Sequence, residues 1–92
     1  MSRAPFHRTL NPVVWTLARL NGRTLEHLGV FSGDLRAKAQ AVAIIAKEAG
    51  LHHLRLDVWT PLPDGGQEVV FAQPTHTWRF RVRPECLDGE AG

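Results

Sequence analysis

The chain has 92 residues, of which 43% are hydrophobic and 22% charged, with a net charge of +2. That length holds a single domain, since a split would leave each half too little core. The composition excludes a disordered chain, and the longest wholly apolar run, Ala41–Ala46, is far too short to span a membrane.

Residues 1–11 carry charges and no apolar block, so they read as a flexible lead without a secretory signal. Val13–Leu20 reads as a strand, Asn21-Gly22 as a tight turn and Arg23–Phe31 as its partner. A type I′ turn at Asn-Gly sets Leu20 opposite Arg23, Leu17 opposite Glu26 and Trp15 opposite Leu28. One face of this hairpin then holds Val13, Trp15, Leu17, Leu28 and Val30 as core, and its tip projects Arg19, Arg23, Thr24 and Glu26 into water. The other face shows Thr16, Ala18, Arg23, Leu25 and His27.

Asp34 is the expected N-cap of a helix from Leu35 to about Ala49, closed by Gly50 at C′. Leu35, Ala39, Val42, Ile45, Ala46 and Ala49 recur at helical spacing as the buried stripe, with Arg36, Gln40 and Lys47 outside. The alanines of this helix let it approach a sheet closely.

Leu54, Leu56 and Val58 alternate with Arg55, Asp57 and Trp59, which predicts a third strand with Trp59 on its outer side. Pro63-Asp64-Gly65-Gly66 is a turn, and Val69–Ala72 a fourth strand. Beyond Pro74, the segment from Thr75 to Val82 is a fifth strand or a bent continuation of the fourth. Pro84 should end regular structure, leaving residues 84–92 as a flexible acidic tail. The expected fold class is α+β, a two-layer sandwich of order ββαββ(β). One helix packs on a four- or five-stranded, mainly antiparallel sheet within a single domain whose ordered core covers about 12–83. A single helix covers such a sheet incompletely, so part of it is wet, paired in a homodimer or used for binding.

Trp78-Arg79-Phe80-Arg81-Val82-Arg83 alternates apolar and arginine side chains without a break. In a strand the rings and Val82 face a core, while three guanidiniums line the other side about 6.6 Å apart. Such a row suits phosphates or carboxylates, or simply keeps the sheet soluble. Residues 1–83 carry 11 basic and 6 acidic groups, and nine of the 11 bases are arginine. Arginine favours bidentate pairing, although a GC-rich coding bias accounts for the count equally well. Trp59 beside Arg55 is a candidate stacking or anchoring aromatic, unless it simply packs on the Pro61-Leu62-Pro63 segment.

Little else carries chemistry. The five histidines lack metal-ligand spacing, and adjacent His52 and His53 would point to opposite faces of a strand. One cysteine, Cys86, allows no internal disulfide and makes a reducing cytoplasm the expected compartment. Ser2 and Ser32 are the only serines and neither sits in a nucleophile turn, while Gly65-Gly66 is not followed by a phosphate-loop signature. The reading is a non-enzymatic module without metal or cofactor.

Trp15, the Gly22-Arg23 turn, Phe31, then a helix with Arg36-Ala37 and Ala41 resembles the amino-terminal arm-binding domain of phage integrases and the related AP2-like DNA-binding domains. The resemblance covers about a third of the chain and lacks counterparts for the strands after Gly50. It implies DNA reading from strand positions matching Thr16, Ala18, Arg23, Leu25 and His27. The ββαββ order is also similar to small phage anti-CRISPR proteins, which implies occupation of a protein surface. Two functions follow as expectations. One is nucleic-acid binding through Arg79, Arg81 and Arg83, with Arg19, Arg23, Arg55 and Trp59 in support. The other is docking on an acidic protein partner. Both need the guanidiniums free of the chain's own acids.

Overall fold

The computed structural model describes residues 13–86. Residues 1–12 and 87–92, which include most of the stretches expected to be flexible, lie outside the described residues. Strands β1 (Val13–Asn21) and β2 (Thr24–Phe31) form the expected hairpin, but its turn falls one residue later than Asn-Gly suggests. Gly22 has φ 67° and no non-glycine residue among the described residues has positive φ, so Gly22-Arg23 are the central pair, with glycine first as in a type II′ turn. Asn21 therefore opposes Thr24, and Leu20 opposes Leu25.

A second irregularity follows. Ala18 pairs with His27 but Leu17 pairs with Gly29, leaving Leu28 as the extra residue of a bulge. One inserted residue reverses the facing of everything beyond it. Val30, expected in the core, is turned out and is 56% exposed, while Phe31 comes in opposite Trp15.

Helix α1 spans Asp34–Ala49. Its cap position is Gly33, not Asp34, and no side chain caps it. Asp34 is the first helical residue, where its charge suits the helix dipole and meets Lys38 one turn on at 3.5 Å. The other end matches expectation: Gly50 is left-handed at φ 73°, and Leu51 N–H donates to Ala46 O at 2.8 Å.

The buried stripe is rotated from the one the spacing suggests. Ala37, Ala41 and Ile45 are fully buried, with Ile44 beside them, whereas Leu35 is 75% exposed and Ala39 lies open. Helical spacing puts Leu35, Ala39, Val42 and Ala46 on the side away from Ala37 and Ala41. The helix thus carries two apolar faces, and the larger side chains of the second drew the sequence reading to it.

Residues 51–59 form no strand, against expectation. Only β3 (Thr60–Pro61) joins the sheet, pairing with β4 (Gln67–Gln73). Strict alternation breaks where Trp59 turns inward, while Val58 is 81% exposed. Pro74-Thr75 is a hairpin turn, with Gln73 opposite His76, so β5 (His76–Cys86) is a separate strand and not a bent continuation of β4.

β5 does not stop at Pro84 but runs to Cys86, with Pro84 opposite Trp15 and Cys86 opposite Val13. A proline is tolerated there because of direction. The Val82 carbonyl faces Gly66, on the β4 side, so Pro84, two residues on, faces that same side after β4 has ended.

Over the described residues the protein is α+β, with one helix and a five-stranded antiparallel sheet in the order β2-β1-β5-β4-β3. Central β5 and β1 supply Phe80, Val82, Trp78 and Leu17 to a core completed by Ala37, Ala41, Ile45 and Val69. Alanine at the two helix positions nearest the sheet lets the backbone approach it closely. Trp15 packs at the edge of that core and Trp78 within it, as the alternation predicts.

Candidate interaction surfaces

The arginine row is extended, and its rings face the core as expected. Arg79, Arg81 and Arg83 lie on the sheet face away from Phe80 and Val82, with Thr16, Ala18, Leu25, His27 and Val70 on neighbouring strands of that face. No helix of the described residues covers it. The guanidiniums, however, are not free. Glu68 stands directly opposite Arg81, whose Nε donates to it at 2.8 Å, and Arg79 Nε lies 4.0 Å from the same carboxylate.

Arg83 Nε meets Asp64 at 2.9 Å. Asp64 also accepts the Gly66 backbone N–H at 2.8 Å, so this residue shapes the β3–β4 turn and ties it to β5. Gly66 is required there, because a Cβ would lie 2.6 Å from the Val82 carbonyl oxygen. The three arginines therefore clamp β4 and its turn onto the central strand. This internal pairing is the condition under which the row ceases to be a ready docking surface.

Arg19 is also misplaced by the sequence reading. It is not at a solvated hairpin tip but on the helix side, 5.1 Å above the Phe80 ring, with Nη2 donating to Glu48 at 2.8 Å. Glu48 also accepts the indole N–H of buried Trp78 at 2.9 Å. The Arg19 and Trp78 hydrogen bonds outweigh burial and hold the Glu48 carboxyl below the usual glutamate range, with His76 adding a smaller favourable charge. Arg23 does sit exposed in the turn and makes no ion pair among the described residues. Arg55 pairs with Asp57 at 3.4 Å, both groups being largely exposed.

Trp59 is half-buried, on the helix side rather than in the open. Its N–H donates to the Leu56 carbonyl at 3.0 Å and Lys38 lies 5.4 Å from its ring centroid. Lys38 is itself fixed by Gln67 at 2.7 Å and by Asp34. Trp59 lines an open groove of about 620 Å³ between the second apolar face of α1 and residues 52–59. Leu35, Ala39 and Val42 form one wall, and Leu54 and Leu56 the other. His52, His53, Lys38 and Arg55 stand along it against a single acid, Asp57. The sequence reading missed this groove. Its signal was present in the helix, which has more apolar positions than one buried face can use.

Among the described residues no three His, Cys, Asp or Glu side chains gather as a metal site would need, and no helix is long and apolar enough to cross a membrane. Cys86 is an exposed free thiol on β5. No family model matches the chain, and neither the curated proteins nor the solved structures include a match.

Proposed function

We propose that this chain is a small, non-enzymatic protein-binding module whose docking site is the groove between α1 and residues 52–59. The observation that carries the reading is Leu35, a helical leucine 75% exposed that lines an apolar groove together with an already oriented tryptophan. Isolated exposed leucines are ordinary, but a contiguous apolar trough beside a fixed aromatic is the usual form of a helix-binding site. The occupant is an amphipathic helical segment of a partner protein. Its apolar side fits Leu35, Val42 and Trp59, and its polar flank meets His52, His53 and Arg55, whose pair with Asp57 is largely exposed and readily exchanged. The Trp59 ring is held by its own hydrogen bond and by Lys38, so little side-chain freedom is lost on binding.

The nucleic-acid reading had its main support in the arginine row, and Glu68 and Asp64 account for that row as an internal clamp. The two readings separate on one set of variants. Under the docking reading, Leu35→Lys and Trp59→Ala abolish capture of the partner while Arg81→Ala leaves it nearly unchanged, because buried aromatics dominate protein interfaces. Under the nucleic-acid reading, anisotropy titration at low salt detects DNA or RNA binding that falls steeply with salt and weakens in Arg81→Ala. Salt-dependent nucleic-acid binding by the wild-type chain that is unaffected by Leu35→Lys would overturn the proposal.

A further inference from the structure

The two edges of the sheet are built differently. β3 is two residues long and ends on Pro61, which shields that edge from further pairing. β2 at the opposite edge has eight residues, contains no proline, lysine or arginine, and is exposed along most of its length. Two of its aliphatic side chains stand out on the uncovered sheet face, Leu25 at 54% and Val30 at 56% exposure. An edge of this kind is ordinarily guarded, and here the Leu28 bulge and Glu26 are its only guards.

We infer that β2 pairs antiparallel with β2 of a second copy of this chain, joining two five-stranded sheets across a twofold axis at the Leu28 bulge. Antiparallel pairing of a strand with itself is the isologous contact a twofold dimer needs. Register selects one arrangement. Leu25 opposes Leu20 and Val30 opposes Thr16, so both point to the uncovered face although they lie five positions apart, an odd offset. The bulge makes this possible, since without it their side chains would face opposite ways.

Leu25 can therefore stand directly opposite the partner's Val30, and Val30 opposite the partner's Leu25, with Cβ atoms about 5 Å apart. In the same register Glu26 faces Gly29 of the partner subunit, so the only charges on the strand do not oppose each other. The register that centres on Glu26 would set the two carboxylates face to face and is disfavoured. Beyond the strand ends, Arg23, which lacks an ion partner among the described residues, comes opposite Ser32 of the partner subunit, two residues from the partner's Asp34. The ladder is thus two short stretches, Thr24–Glu26 against the partner's Gly29–Phe31 and its symmetric mate, on either side of the bulges.

The test is light scattering on the full chain after size-exclusion chromatography. The expected mass is about twice the 10.3 kDa of one chain. Leu25→Lys and Val30→Lys should each return it to a monomer with unchanged circular dichroism and melting, while Leu35→Lys leaves the dimer intact. A second measurement does not depend on how the lysine variants fold. In a Cys86→Ser background, Leu25→Cys combined with Val30→Cys should form an intermolecular disulfide on oxidation, and Leu25→Cys alone should not. A monomeric wild-type chain overturns the inference. So does a dimer that Leu35→Lys abolishes and Val30→Lys does not, or one in which the cysteine pair fails to cross-link.

Discussion

Glu68→Gln separates an internal clamp from a docking row. The Glu68 side chain is 17% exposed, lies 2.8 Å from Arg81 Nε and 4.0 Å from Arg79 Nε, and sits directly opposite Arg81 on the neighbouring strand. Glutamine keeps the shape and one acceptor but removes the charge. A hydrogen bond to a charged group contributes about 1.5–3 kcal/mol when shielded, and an exposed ion pair about 0–1 kcal/mol. Arg81 is more than a third exposed, so the pair falls near the low end, at about 1 kcal/mol.

Removing the acid also leaves the row unbalanced. The acid's attraction for the Arg79 guanidinium at 4.0 Å, about 1 kcal/mol in water-like dielectric, is lost as well. The sum is about 1–2 kcal/mol, which in a domain of this size lowers the melting temperature by about 5–10 °C. Thermal denaturation by circular dichroism should show that deficit at low salt and a smaller one in 1 M salt, where the Debye length shrinks to about 3 Å. The released row should at the same time gain affinity for DNA in low-salt anisotropy titrations. A variant as stable as wild type within about 0.5 kcal/mol, or wild-type DNA binding equal to that of the variant, would refute the clamp.

Three further perturbations probe the same structure. Gly66→Ala places a methyl group 2.6 Å from the Val82 carbonyl, part of the central strand and unable to move aside, so urea denaturation should show a loss of about 1–3 kcal/mol. Gly33→Ala, where a Cβ meets nothing within 4 Å but a helix-capping glycine becomes a poor capping residue, should cost less, about 0.5–1 kcal/mol. Phe80→Ala empties a fully buried site between Arg19 and the helix and should cost about 3–5 kcal/mol, enough to leave much of the chain unfolded at 37 °C. Glu48 has a folded-state pKa below its unfolded value, so its contribution to stability is present above about pH 4.3 and is lost as pH falls through the folded value. Glu48→Gln should therefore flatten the acid side of the melting-temperature profile, and a wild-type-like loss between pH 5 and 3 would count against the Arg19–Glu48–Trp78 cluster.

Much of the fold is legible in the sequence because local signals agree with one another. The Gly50 terminus, the β1–β2 hairpin and the inward facing of Trp78, Phe80 and Val82 follow from single residues or short periods. What escapes depends on one inserted residue or on competition between faces. The bulge at Leu28 reverses Val30 and Phe31, and no residue type in β2 announces it. The helix offers two apolar faces. Ala37 and Ala41 win the sheet because their small side chains allow a close approach, although Leu35 and Val42 carry more apolar area. The pairing of the arginine row was within reach. Once Pro74-Thr75 is taken as a two-residue turn, counting outward from Gln73 and His76 sets Glu68 against Arg81. The Arg19–Glu48 contact joins residues 29 positions apart through tertiary packing and leaves no local trace.

The two proposed surfaces lie on opposite sides of the helix and do not compete. Lys38, which borders the groove, reaches Gln67 on β4, so the groove opens toward the β4 and β3 side. β2 is the far edge of the same sheet. A dimer through β2 would therefore carry one groove at each outer end, facing away from the twofold axis. Two weak sites held at a fixed separation engage a dimeric or repetitive partner with an effective concentration in the millimolar range when the geometry fits, which can raise avidity by about 10²–10⁴. Small grooves with one tryptophan and one leucine as anchors supply modest affinity by themselves, so the edge contact is what would make such a module effective. The consequence is measurable. Val30→Lys should leave the affinity for a monomeric partner segment unchanged while reducing retention on a partner displayed at high density. Loss of both together would show that the groove itself depends on the β2 edge.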